Sequence, residues 1–148
     1  MLGEYLMTQA DLQTRRVKYD SIGMGGYNID SMPAQRIPML AHRFPTPYYV
    51  AVNEGYLTVP VQPYQIAYRA LTPRFEECEN LLVPVCLSSS HVAYCSIRME
   101  PQYMILGHSA GVAAAQAVSS GQAVQKIDIA RLQKRLLEQR QILALSYR

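Results

Sequence analysis

A chain of 148 residues can bury one ordinary hydrophobic core. Hydrophobic residues make up 49% and charged residues 17%, against about 25% charged in a typical globular domain, so part of the surface is expected to be buried against something else. The net charge of +3 does not mark a nucleic-acid binder, because Arg131, Lys134, Arg135 and Arg140 lie on one predicted helix with Glu138 among them and no aromatic ladder beside them.

Thr8, with Asp11 three residues on, predicts an N-capped short helix over ADLQTRR. This N-terminus carries Glu4 and Asp11 and no long apolar run, so it is not a signal peptide. Lys18 to Asp30 sets Gly23, Gly25 and Gly26 among β-prone residues and reads as strand with a bulge or a close backbone approach. The stretch from Met32 to Pro73 holds seven of the nine prolines. Its pieces Tyr48 to Val52, Tyr56 to Val59 and Tyr64 to Tyr68 predict a small antiparallel sheet with loops.

After Glu79 the character changes. Leu81 to Cys86 is an apolar run bounded by Asn80 and a serine cluster, which predicts a strand buried on both faces. Pro84 cannot donate to a ladder, so pairing is expected to loosen there. A long helix is predicted from about Ser96–Glu100 to Ser119–Ser120, with Pro101 in its first turn and Gly121 ending it. Glu100, Gln102, His108 and Gln116 interrupt its apolar run and argue against a membrane span. Gly107, Gly111 and Ala113 to Ala115 give it a small-residue face suited to close packing. Asp128 caps a last amphipathic helix with an apolar stripe of Ile129, Leu132, Leu136 and Leu143.

The fold class is therefore an α+β or α/β arrangement: a small antiparallel β region, a buried strand, a long helix and a C-terminal helix. Its expected division is 1–79 and 80–148. A lone buried strand needs neighbours that this sequence does not supply.

The densest polar cluster is Ser88, Ser89, Ser90 and His91, followed by Tyr94, Ser96 and Arg98. It lies where an α/β sheet binds ligands, beyond a strand and at a helix start. Arg98 in a first helical turn would oppose the macrodipole, so an acidic partner is expected, either Glu100 or an anionic ligand. His91 reads either as a general acid or base or as a hydrogen-bonded structural residue. Nothing marks Cys95 as activated. The odd set of Cys78, Cys86 and Cys95, with no Cys-x-x-Cys pair, argues against a disulfide framework or a zinc site, and no metal site is expected. A reducing, cytoplasmic setting is the default. No Gly-x-Gly-x-x-Gly lies between a strand and a helix.

Three blocks resemble a mostly bacterial family of FAD-dependent oxidoreductases with the fold of glutathione-reductase-like flavoproteins. They are DSIGMGGYNIDS from Asp20, PYQIAYRALTP from Pro63, and EECENLLVPVCLSSSHVAYCSIRMEPQYMILGHSAGVAAA from Glu76. The resemblance implies FAD as cofactor and an incomplete FAD-binding domain. Residues 1–79 would be a remnant of a β-rich substrate-side region, and 80–148 the closing strand and helices. It places Ser90 and the backbone of Ser96, Ile97 and Arg98 toward the flavin, His91 and Tyr94 on the substrate side as catalytic residues, and Asp30 against substrate. Three positions depart from the family pattern: Met32 replaces a histidine, Ala67 a proline and Cys95 a glycine. A side chain at Cys95 would crowd a flavin approaching bare backbone.

The resemblance further implies that this is the C-terminal portion of such an enzyme, inactive alone and completed by a missing N-terminal FAD-binding half. The alternative is a non-catalytic remnant or subunit that associates with itself or with a separate flavoprotein. A third reading is a small acid–base enzyme centred on His91.

Overall fold

In the computed structural model, residues 1–14, 16–31, 35–42, 45–55 and 57–145 are described. They form a small mixed α/β domain of short antiparallel strand pairs and four helices.

The short helix α1 (Gln9–Gln13) begins as the sequence predicts. Thr8 is extended, and the Asp11 carboxylate accepts the Thr8 backbone N–H at 2.8 Å, closing a capping box. Ahead of it, Met7 donates its N–H to Ser88 O at 3.0 Å and accepts from Ser90 N at 2.8 Å. The N-terminal segment thus straps the serine cluster in place, with Met7 fully buried.

Strand β1 (Ser21–Gly25) pairs antiparallel with β6 (Tyr64–Ala67), and the register slips between Ser21 and Gly23, where the glycines predict a bulge. Strands β2 (Ile29–Ser31) and β5 (Leu57–Val59) form a second pair. Strands β3 (Gln35–Ala41) and β4 (Tyr48–Glu54) form a third, which packs chiefly on itself with Ile37, Met39, Leu40, Tyr49 and Val52 exposed. β3 runs through Pro38, which a strand tolerates only where no ladder N–H is needed, as at an edge.

Helix α2 (His91–Ile97) packs on β2 and leads into α3 (Glu100–Ser120), which crosses β1. Pro101 stands in the first turn of α3, and Gly121 ends it in the left-handed conformation at φ 62°. Helix α4 (Ile129–Glu138) is capped by Asp128, whose carboxylate accepts Arg131 N at 3.1 Å. Its Leu132 and Leu136 are fully buried, each contributing roughly 1.5–3 kcal/mol of transfer free energy. Leu143 and Arg140, expected on this helix, lie beyond its end, although Leu143 still reaches the core. One apolar core, from Met7 to Leu143, draws on all four helices together with β1, β2 and β6.

Two expectations are overturned. Leu81 to Cys86 is not a buried strand: it bends without a ladder, and Leu81 and Val85 are 46% and 45% exposed. Its backbone instead meets a loop, with Val83 donating to Leu71 O at 2.8 Å, and Pro84 has no N–H to continue the pairing. Nor does the whole small-residue face of α3 pack closely within the chain: Ala113 is fully buried, but a Cβ added at Gly107 or Gly111 would meet no atom within 4 Å. Met104 and Val118 on the same helix are 74% and 84% exposed.

Among the described residues, no helix is long and apolar enough to cross a membrane.

Candidate functional site

Helix α2 positions most of the polar residues singled out in the sequence. Ser90 is its N-cap, and its Oγ accepts Ala93 N at 3.3 Å. His91 is the first helical residue and is exposed; its Nε2 lies 3.8 Å from Sγ of Cys95, one turn along. Tyr94 turns toward α3 and bonds the Tyr103 hydroxyl at 2.8 Å. Burial, reinforced by that hydrogen bond, raises the Tyr103 phenol above its ordinary pKa.

Ser96 is fully buried, and its hydroxyl donates to Tyr27 O. Since Ser96 spends its proton there, the Tyr64 hydroxyl 2.7 Å away must be the donor to Ser96 Oγ. Burial pushes the Tyr64 phenol up to about 12, which keeps that proton in place at neutral pH. Tyr64, Tyr27 and Tyr103 were not singled out in the sequence. For Tyr64 the available signal was that a tyrosine buried in a core must find a partner for its hydroxyl, whereas Tyr27 contributes only its backbone oxygen, which no side-chain signal marks. Ile97 is fully buried, so its side chain belongs to the core and only its backbone is free for another role.

Arg98 is not in the first turn of a helix. It is the C-cap of α2, where a cation favours the macrodipole, and Met99 separates it from α3. Its acidic counterpart is not Glu100 either. Arg98 Nη2 donates to the backbone oxygen of Asp30 at 3.0 Å, across 68 positions of sequence. Asp30 stands in β2 opposite Thr58, and its Oδ1 is buried with no hydrogen-bond partner. Such an oxygen is costly to leave unmet, on the order of 1–3 kcal/mol. The structure therefore brings Asp30, Ser96 and Arg98 together at the α2–β2 contact. No side-chain hydrogen bond joins His91 or Tyr94 to Asp30.

The glycine triplet has another task. A Cβ at Gly25 would come within 2.6 Å of the Tyr64 ring, and one at Gly23 would collide with Ile105 of α3. These glycines admit neighbouring side chains, so their bare backbone is not open to a phosphate. The described residues thus leave one buried carboxylate oxygen of Asp30 unpartnered, hold the Arg98 guanidinium against the same strand, and start α3 with no side-chain cap. Cys95 is buried at 5% exposure, so its thiol fills space beneath α2. Met32 lies outside the described residues. Among the described residues, no group of three or more His, Cys, Asp or Glu side chains could hold a metal ion.

The model of the FAD dependent oxidoreductase family matches residues 1–136. The chain belongs to that family. No curated protein and no solved structure matches it.

Proposed function

We propose that the chain is the C-terminal part of an FAD-dependent oxidoreductase and forms the wall that faces the flavin ring and part of the substrate side. The observation that carries this is the meeting of Arg98 with the Asp30 strand, which leaves a buried carboxylate oxygen unpartnered. The flavin would supply the ring that takes or gives a hydride. Arg98 holds positive charge where a reduced ring gathers negative charge. Asp30, half-buried in β2, turns its carboxylate to the substrate side and so orients substrate. Ser96 locks α2 to Tyr27 and Tyr64, so this wall does not shift. His91, at the exposed start of α2, is the proton-exchanging group, and Tyr94 lines the substrate side.

Residues 1–79 then belong to the substrate side and 80–148 to the closing part of the FAD domain. The glycine-rich element for the pyrophosphate comes from further polypeptide, which covers the exposed Leu81 to Cys86 segment and the bare face of α3. That same exposed surface favours association over a self-sufficient acid–base enzyme at His91.

Equilibrium dialysis of FAD against the purified 148-residue chain tests the division of labour. Weak or no binding is expected, and tight one-to-one retention contradicts it. In the flavin-bearing protein, Asp30→Asn is expected to slow flavin reduction by substrate by about 10²-fold or more while FAD stays bound. An unchanged rate removes Asp30 from the site.

A further inference from the structure

A cleft of about 390 Å³ opens between α3 and α4 and shares no residue with the site above. Its walls are two helical stripes of identical spacing. Val112, Ala115, Gln116 and Ser119 line the α3 side. Arg131, Lys134 and Arg135 line the α4 side, with Glu138 at its end. Positions i, i+3, i+4 and i+7 share one side of a helix, so every one of these side chains borders the same space.

The charge in this space is not balanced. Glu138 pairs with Arg135 at 3.3 Å, and both are largely exposed. Among the described residues, Arg131 and Lys134 have no carboxylate within ion-pair distance. The α3 wall brings no charge to offset them, and its amide is already committed, since Gln116 Nε2 donates to Asp128 O at 2.9 Å. The start of α4 is already met by the Asp128 carboxylate, which accepts Arg131 N at 3.1 Å, so the unmatched charge in the cleft is that of the Arg131 and Lys134 side chains. An anion in the cleft pairs with these two free cations. Ala115 leaves the floor open, and the volume lies within the roughly 300–1,000 Å³ of small-molecule sites.

We propose that this cleft binds a small molecule carrying at least two anionic groups, phosphate or carboxylate, with Arg131 gripping one in its planar fork and Lys134 meeting the other. A singly charged anion leaves one cation unmatched. The site stands or falls independently of the flavin reading.

The test is an amide chemical-shift titration of the 148-residue chain with inorganic pyrophosphate and, separately, with citrate at constant ionic strength. Saturable shifts confined to residues 112–119 and 128–138 are expected with at least one of them. Saturation by pyrophosphate alone assigns a phosphate-bearing ligand, and by citrate alone a polycarboxylate. The double variant Arg131→Gln/Lys134→Gln should weaken binding by about tenfold or more. Both side chains are exposed, so the fold is expected to survive; Lys134→Glu is the second variant should the double one fail to fold. Shifts that grow without saturating for both probes overturn the proposal, as does a folded variant that binds within about twofold of the parent.

Discussion

At the residue scale, the most consequential charge outside the site is Asp11, buried beside Lys18. Burial alone would raise its pKa, but hydrogen bonds from Lys18, Tyr5 and Thr8 outweigh that and hold it at about 2. The folded value lies below the ordinary one, so the stabilisation is complete above pH 3.8 and is lost as pH falls toward 2. Acid titration of thermal stability should show a loss on the order of 2 kcal/mol in that window, absent in Asp11→Asn. A parallel decline in both proteins would contradict the assignment. Lys18 is raised instead: burial opposes the charge, and Asp11 and Tyr5 more than compensate. Its share persists below its ordinary pKa and disappears as pH climbs through the raised value. Gly25→Ala places a Cβ against the Tyr64 ring and should cost about 1–3 kcal/mol in a denaturant melt, whereas Gly107→Ala, in open space, should cost nothing. Equal stabilities for the two variants would refute this account of the glycines. The Thr8–Asp11 box and the close approach in β1 were legible because cap residues and glycines act locally. The Arg98–Asp30 contact was not, because no local rule links positions 68 apart.

Among the elements, those with local start signals began where predicted, although α4, with no stop signal, ended at Glu138 rather than reaching Leu143. α3 has Pro101 and Gly121, and α4 has Asp128 and its leucine stripe. Asp128→Ala should destabilise by about 1 kcal/mol, read as a lower melting temperature, and Asp128→Asn should restore most of it. No loss in the alanine variant would show that the cap is idle. α2 was hidden because its seven residues span too few turns for a period to show, so its C-cap was read as the start of α3. β3 was hidden because Pro38 reads as a breaker, yet an edge strand tolerates it. Leu81 to Cys86 failed in the opposite sense, since an apolar run becomes a strand only where a ladder partner exists. The β3–β4 hairpin leans on little but itself, and two strands alone are marginal in water. Its amides should exchange with deuterium well before those of β1 and β6, and equal protection would contradict its independence.

For the whole molecule, the exposed apolar residues lie on elements that elsewhere in a protein would be covered: Leu81 and Val85 on the failed strand, Met104 and Val118 on α3. Large apolar side chains left in water favour association. Light scattering should therefore rise with concentration, and Met104→Glu with Val118→Lys should suppress that rise without lowering the melting temperature. A strictly monomeric parent chain would contradict it. The family was legible in the sequence through its long motif from Glu76 to Ala115, but the packing around that motif was not, because the apolar run within it finds no ladder partner among the described residues. The central claim is that Arg98, held against the Asp30 strand, faces the flavin ring, and the flavin midpoint potential in the complete flavin-bearing protein tests it most directly. Arg98→Met should shift that potential to a more negative value, because a cation near the ring stabilises its reduced, negatively charged form. A potential unchanged by the substitution would place Arg98, and the wall it belongs to, away from the cofactor.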